Sequence, residues 1–531
     1  NCFFDYNLYY TTDQTRFIEI NSVSYDNLQE FRNATGQELN GIYGYPEFMN
    51  PKIGDFRLTS YSPCIDAGEN IPNFCSDYVG NAADIGATEF NGFSDVGPTY
   101  IAGEVSGYWI ARRSPYIVTD DLILNSGSEF VIEPGTEIRF RENCKLEVQP
   151  GARIVAEGTV TDTIVFRGAP VNADSNTCWG GVRLLMADEA SSFSYCKFTD
   201  GYSSPFIFTH ELDNYGGAML IYGSDVTVSH STFSGNRASG AGGALAIFDC
   251  DPIIRFCEII DNYSENDAGA IFVQNSRGLI RNSLIAQNSC LYDGGAMYYD
   301  GQANIEVTNT RIVRNYSGDD GGAGLCYDSE PRFVNCTIVD NITEGHGGAF
   351  RNSTSGSTVS ITNSIVWRND GSSIIRGSIS VTYSCVQLGI SSSGNNILRN
   401  PEFQSTESLD YLLAANSPCI DAGNPAAEYN DPEDSNNRGQ ALYPALGTLR
   451  NDMGAYGGPR AVEQDMPVAI ADDLNDSNVP EYFELKPCYP NPFNASTTIE
   501  FALPEDAEVE ISIYNITGQK LQSFDRRYMQ A

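Results

Sequence analysis

A repeat constrains this chain more than any other feature. Gly-Gly-Ala recurs at Gly216-Gly217-Ala218, Gly242-Gly243-Ala244, Gly294-Gly295-Ala296, Gly321-Gly322-Ala323 and Gly347-Gly348-Ala349, and the variant Ala268-Gly269-Ala270 fills the gap. Successive copies lie about 26 residues apart, the length of one solenoid coil. A second motif keeps the same phase: a small residue or Cys, an apolar residue two positions on, and an Asn three further. It ends on Asn236, Asn262, Asn288, Asn315, Asn341 and Asn369. One such coil cannot bury a core. Stacked coils bury their inward side chains in one column and pair their strands in parallel.

The repeat therefore predicts short strands at 244–248, 253–256 and 358–361, with residues such as Ile259 and Ile338 pointing inward. The glycine corners (Gly217, Gly243, Gly269, Gly295, Gly322 and Gly348) are expected to need positive φ. Asn262, Asn315 and Asn341 sit in N-x-[ST] sequences, but a structural reading is preferred. Asn accepts a left-handed turn, and stacked Asn side chains bond to one another. Cys196, Cys257 and Cys336 share one repeat position with Ser231, Ser283 and Thr310, so a small buried side chain is expected there.

Composition narrows the function. The chain carries 31 basic and 69 acidic residues, a net charge of −38. Such a surface repels phosphate backbones and excludes nucleic acid as the expected partner, while favouring divalent cations. The 14 cysteines include no CxxC pair, and only Cys64 with Cys75 suggests a disulfide. No apolar run is long enough to span a bilayer.

The Gly-Gly-Ala and Asn rungs over roughly residues 190–400 resemble the right-handed parallel β-helix repeats of bacterial surface proteins, including the polymorphic outer-membrane protein type. Two segments share an ending: Ser62-Pro63-Cys64-Ile65-Asp66-Ala67-Gly68 matches Ser417-Pro418-Cys419-Ile420-Asp421-Ala422-Gly423, preceded by Pro46-Glu47-Phe48 and Pro401-Glu402-Phe403. This ending resembles the closing segment of secreted β-helix proteins. Residues 1–90 are thus expected to end an upstream β-helix, 91–98 to link, and 99–460 to form a second β-helix with its C-terminal cap. Residues 461–480 read as an acidic linker. Beyond it, Tyr489-Pro490-Asn491-Pro492-Phe493-Asn494 and Ile513-Tyr514-Asn515-Ile516-Thr517-Gly518 resemble the sorting domain of type IX secretion cargo, a partial Ig-like β-sandwich over 481–531. That resemblance implies handling by the type IX secretion machinery and an extracellular or outer-membrane location in a Bacteroidetes-like bacterium. The fold class expected is all-β.

Parallel β-helices of this kind host polysaccharide lyases and hydrolases. Asp319-Asp320, with His346 one coil later, offers the acid–base pair such an enzyme needs. No Arg-x-Lys follows, and no Lys lies between Lys197 and Lys486. Asp267, Asp293 and Asp319 recur one coil apart, and Asp431 with Asp434 lies near the second closing segment. Each group reads either as a Ca²⁺ site or as a solvated acidic edge. Tyr222, Phe248, Phe272, Tyr298, Tyr299 and Tyr327 follow the glycine corners, either as core or as an outward strip for sugar stacking. The function expected is a non-enzymatic surface protein that is adhesive or structural, with polysaccharide or cell-surface glycans as partners. The alternative is a carbohydrate-active enzyme of the same fold.

Overall fold

The computed structural model describes residues 98–461 apart from 170–177, 205–211 and 408. Outside that stretch it describes 5–10, 18–20, 23–25, 27–46, 48–50, 55–58, 62–69, 82–86 and short strands between 484 and 529. Cys75, His210, Gly518 and, apart from residues 98 and 461, the expected linkers at 91–98 and 461–480 lie outside the described residues. Residues 1–461 form one compact unit and 462–531 another.

The coils of the regular repeat run through four strands, and the fourth, on a short wall, recurs in six of them. In one coil these are Leu245–Phe248, Ile253–Arg255, Glu258–Ile260 and the short Tyr263–Ser264. Every strand pairs in parallel with its equivalent one coil on, as Leu245 does with Ile271 and Tyr263 with Ser289. The wall containing Ile253–Arg255 has 11 strands, which at ~4.8 Å per step makes a stack of roughly 48 Å. Alternation decides what is buried. In the wall of Glu258–Ile260, the column Phe198, Phe233, Ile259, Ile285, Ile312, Ile338 faces inward and is fully buried. Phe166, Phe198 and Phe233 stack face to face at 4.8 and 4.7 Å between ring centres.

The Asn of each coil is buried and bonded to its neighbour. Asn262 Nδ2 donates to Asn288 Oδ1 at 2.9 Å, and the Asn262 backbone N–H donates to the same oxygen at 3.0 Å. The pattern runs from Asn236 to Asn369, where Gln387 Oε1 takes over as acceptor. The left-handed residue at this corner, however, is the one before each Asn: Gly235, Asp261, Gln287, Arg314, Asp340 and Arg368. The ladder Asn is therefore needed for its carboxamide and not for its φ. Burial also removes Asn262, Asn315 and Asn341 from the surface. Cys196, Cys257 and Cys336 are buried, and their thiols point at backbone carbonyls of the coil stack.

The glycine corner also needs correction. The first glycine takes positive φ (Gly242 at 74°, Gly294 at 76°), and in the variant corner Ala268 takes it at 56°. The second glycine is required for space. A Cβ on Gly243 would lie 2.2 Å from the Gly269 carbonyl oxygen, and Gly269 and Gly295 meet the next coil in the same way.

The segment after the last coil runs back along the outside of the stack as a strap. Phe403, Tyr411, Leu413, Cys419 and Met453 bury against Leu284, Val313, Val339, Ile365 and Cys385 on the outer face. A second row of asparagines, at a corner where they do take positive φ, binds it. Asn282 Nδ2 donates to the Arg460 carbonyl at 3.0 Å, Asn309 to Gly457 at 2.6 Å and Asn335 to Asp452 at 2.9 Å. Asn363 Oδ1 accepts from the Asn424 N–H at 2.8 Å. In earlier coils the same corner holds Tyr195, His230 and Phe256, stacked at 4.6 and 4.7 Å.

The duplicated ending is one hydrogen-bonded unit built twice. Ser62 Oγ donates to the Pro46 carbonyl and Ser417 Oγ to that of Pro401, at 2.6 and 2.5 Å. Asp84 accepts the Asp66 N–H at 2.8 Å, and Asp452 accepts that of Asp421 at 2.7 Å. Asp66 and Asp421 share φ near 53° and 54°. In the second unit, residues 462–531, the described strands pair antiparallel: Glu484–Leu485 with Phe501–Ala502, Ala507–Val509 with Arg527–Met529, and Ser512–Tyr514 with Lys520–Ser523. Their assembly into a sandwich lies outside the described residues.

Two substitutions test the repeat anchors by thermal and denaturant melts of the full chain. Asn288→Leu should cost about 1–3 kcal/mol, because Asn262 loses an acceptor and buried carbonyls lose a donor. Gly243→Ala should cost about 1–3 kcal/mol through overpacking against the next coil. An unchanged melt for both would remove the stacking assignment.

Candidate functional site

Just before each glycine corner, Asp267, Asp293, Asp320 and His346 stand one above another. Each carboxylate accepts the N–H of the next residue up: Asp267 from Asp293 at 3.1 Å, Asp293 from Asp320 at 3.0 Å, and Asp320 from His346 at 2.5 Å. Carboxylates can only accept, so this ladder has backbone donors alone, where the Asn ladder uses side-chain and backbone donors together. Asp319 lies one residue off this column and is exposed, whereas Asp320 is buried. Asp293, Asp319 and Asp320 bring ligand oxygens within 4.8 Å of one another. Burial, reinforced by the charges of Asp267 and Asp319, pushes Asp293 up to about 6. Arg351, from the neighbouring wall, forms an ion pair with Asp320 and offsets part of this charge. The His346 Nδ1 atom is buried without a hydrogen-bond partner.

Arg351 is the basic residue that motif spacing did not reveal. It faces outward in the column Phe272, Tyr298, Leu325, Arg351, which only the register across coils brings beside Asp320. The aromatic strip divides. Tyr299 points into the core and is fully buried. Phe248 and Phe272 face outward but are covered, with Tyr215 packing on them at 5.2 and 5.4 Å. Tyr222 and Tyr298 flank that cluster half-buried, and Tyr327 is exposed.

A more open aromatic row lies on the short wall. Its outward column reads Tyr202, Arg237, Tyr263, Ser289, Tyr316, Ile342. The Arg237 guanidinium sits 5.3 Å from the ring centres of both Tyr202 and Tyr263. Glu265 receives the Tyr202 hydroxyl at 3.1 Å and pairs with Arg237, while the Tyr316 hydroxyl donates to Glu344 at 2.6 Å. Exposed Leu291 and Tyr292 lie between this row and the acidic column. The signal was present in the sequence: these tyrosines are the middle residues of Asn262-Tyr263-Ser264 and Asn315-Tyr316-Ser317.

Asp431 and Asp434 do not converge. Asp434 is half-buried and closes its own turn through the Asn436 N–H at 2.8 Å. Asp431 is buried in the strap, where it accepts the N–H groups of Asp452 and Gly458 at 3.0 and 2.5 Å. Burial, then the charge of Asp452, pushes Asp431 up to about 8. Burial also pushes Asp452 up to about 7.

Two family models match the chain. The model described as a right handed beta helix region matches residues 171–330 and 217–400. The model described as a secretion system C-terminal sorting domain matches 487–530. Neither the comparison with curated proteins nor that with solved structures returned a match. The body of the chain is a right-handed parallel β-helix, and its tail is a type IX sorting segment that marks a secreted or cell-surface protein. Among the described residues no helix is long and apolar enough to cross a membrane.

The strap carboxylates give a pH test. In the unfolded chain an aspartate titrates near ~3.9, so between there and the folded values of about 7 and 8 the folded chain holds protons that the unfolded chain has released. Their contribution to stability is therefore greatest at low pH and is lost as the pH rises through 7 to 8. Asp431→Asn keeps an acceptor and removes the charge. Melts from pH 5 to 8.5 should show the variant gaining stability over the parent as pH rises; a constant difference would contradict the buried-carboxylate assignment.

Proposed function

We propose that the protein is a non-catalytic, surface-displayed β-helix that binds polysaccharide or cell-surface glycan along its short wall. The observation that carries this reading is the outward row Tyr202, Arg237, Tyr263 and Tyr316. It places tyrosine rings on alternate coils with fixed polar groups between them, beside the acidic edge. Aromatic side chains at regular spacing suit contact with sugar rings, and the paired Arg and Glu groups suit hydroxyls. The nearby carboxylates are already engaged: Asp267, Asp293 and Asp320 hold backbone N–H groups, and Asp320 also holds Arg351. That occupancy fits a structural ladder better than a catalytic pair. It also weakens the case for Ca²⁺ at Asp293, Asp319 and Asp320, because Arg351 supplies positive charge there.

One observation favours a second reading, a glycan-cleaving enzyme. Asp293, with its raised pKa of about 6, lies beside Asp319, Asp320 and Arg351, which together offer a proton-holding carboxyl, a carboxylate and a cation.

A panel of soluble polysaccharides, tested for retardation and for depolymerisation, separates the two. Binding without cleavage, weakened about tenfold or more by Tyr263→Ala with Tyr316→Ala, is the expected result. Reproducible cleavage lost in Asp319→Ala or Asp320→Ala would replace the first reading by the second, and binding indifferent to the tyrosine pair would remove the short wall from it.

A further inference from the structure

Three cysteines of the coil stack share one repeat position. Cys196, Cys257 and Cys336 stand at the start of the third strand of their coils, face the core, and donate to backbone carbonyls. In the last coil that position is Ser384, which receives the Ser364 N–H as its counterparts do. Cys385 is the next residue. It pairs in register with Ile365, and Ile365 with Thr337, in the outward column beneath the strap. Facing it from the strap is Cys419. Both are fully buried in the same apolar cluster. Cys385 Sγ donates to the Arg399 carbonyl at 3.1 Å, and the Cys385 thiol beside it, together with burial, holds the Cys419 thiol well above its ordinary value. Cys419 is itself positioned by its backbone N–H on Ser417 Oγ at 3.1 Å, and the first copy of the unit places buried Cys64 on Ser62 Oγ in the same way at 3.2 Å.

We infer that Cys385 and Cys419 form a disulfide that clasps the strap to the last coil once the protein has left the reducing cytosol. Three observations support it. The thiols meet across two segments that must come together for the strap to seat. Cys385 faces outward under the strap, unlike Cys196, Cys257 and Cys336. The sorting tail sends the chain to compartments where disulfides persist. The oxidant is a protein or small-molecule disulfide. The Cys419 thiolate attacks one of its sulfurs, giving a mixed disulfide and one released thiol. The Cys385 thiolate then attacks Cys419 Sγ, forming the Cys385–Cys419 bond and expelling the second thiol. Two protein thiols lose two protons and two electrons, and the oxidant is reduced to two thiols. Because both sulfurs are buried and the folded thiol is hard to ionise, the exchange belongs to the stage before the strap closes; afterwards the bond is shielded from reductant.

The test uses the full chain. It is refolded from denaturant with reduced and oxidised glutathione, quenched with iodoacetamide, and mapped by peptide mass. The expected result is one cross-linked pair containing Cys385 and Cys419, about 2 Da lighter than the two reduced peptides together. The core-facing Cys196, Cys257 and Cys336 should be recovered alkylated. The oxidised chain should melt higher than the reduced one, and Cys385→Ser should abolish that difference while leaving a folded β-helix by circular dichroism. Recovery of Cys385 and Cys419 alkylated or glutathionylated, or pairing of either with a third cysteine, would overturn the inference without touching the glycan-binding reading, which has no part in it.

Discussion

Everything in the β-helix depends on each coil finding the same hydrogen-bond partner in the next. Backbone pairing alone leaves register open, because a strand that slips still finds donors and acceptors. The buried asparagine removes that freedom. Its carboxamide donates and accepts at once, so Asn262 can bind Asn288 while receiving from Asn236. A slipped coil would bury an unpaired amide, and that cost falls on every coil in the run. The aspartate ladder on the acidic edge obeys the same geometry with half the chemistry. A carboxylate cannot donate, so each one takes the next backbone N–H and leaves its charge at the edge of the stack.

How much of this was legible follows from what is periodic along the chain. The coil length, the inward column around Ile259 and Ile338, and the buried Asn row repeat in sequence, so they could be read from it. The division of labour within Gly-Gly-Ala could not. The second glycine recurs in every corner and the first yields to Ala268 in one, but only the structure shows that Gly242 is kept for its backbone angle and Gly243 for the absence of a side chain. The strap was seen only as a closing segment. Its contacts run to Asn282, Asn309 and Asn335, residues more than a hundred positions away whose row begins as Tyr195, His230 and Phe256. The acidic column was visible because its members lie one coil apart. Arg351 was not, because it reaches Asp320 from another wall, and the short-wall tyrosines were hidden inside apparent glycosylation sequences.

The strap also changes how the closing motif should be understood. Its serine, aspartate and glycine positions hold one another through short hydrogen bonds, and the unit recurs with the same distances at 46–86 and at 401–453. It is a prefabricated buckle. The buried acids within it, Asp431 and Asp452, couple its fit to proton concentration, so the fastening and the acidity of the surroundings are one variable.

The change from aromatic to asparagine along one corner of the coils acts as a ruler. From Tyr195 to Phe256 the corner stacks rings on one another. From Asn282 to Asn335 it offers one amide per coil to backbone carbonyls of the strap, and Asn363 accepts the Asn424 N–H. A whole coil inserted in the ring-stacked half would lengthen the stack and leave every rung beneath the strap in place. The same insertion in the asparagine half would leave the strap one rung out of step.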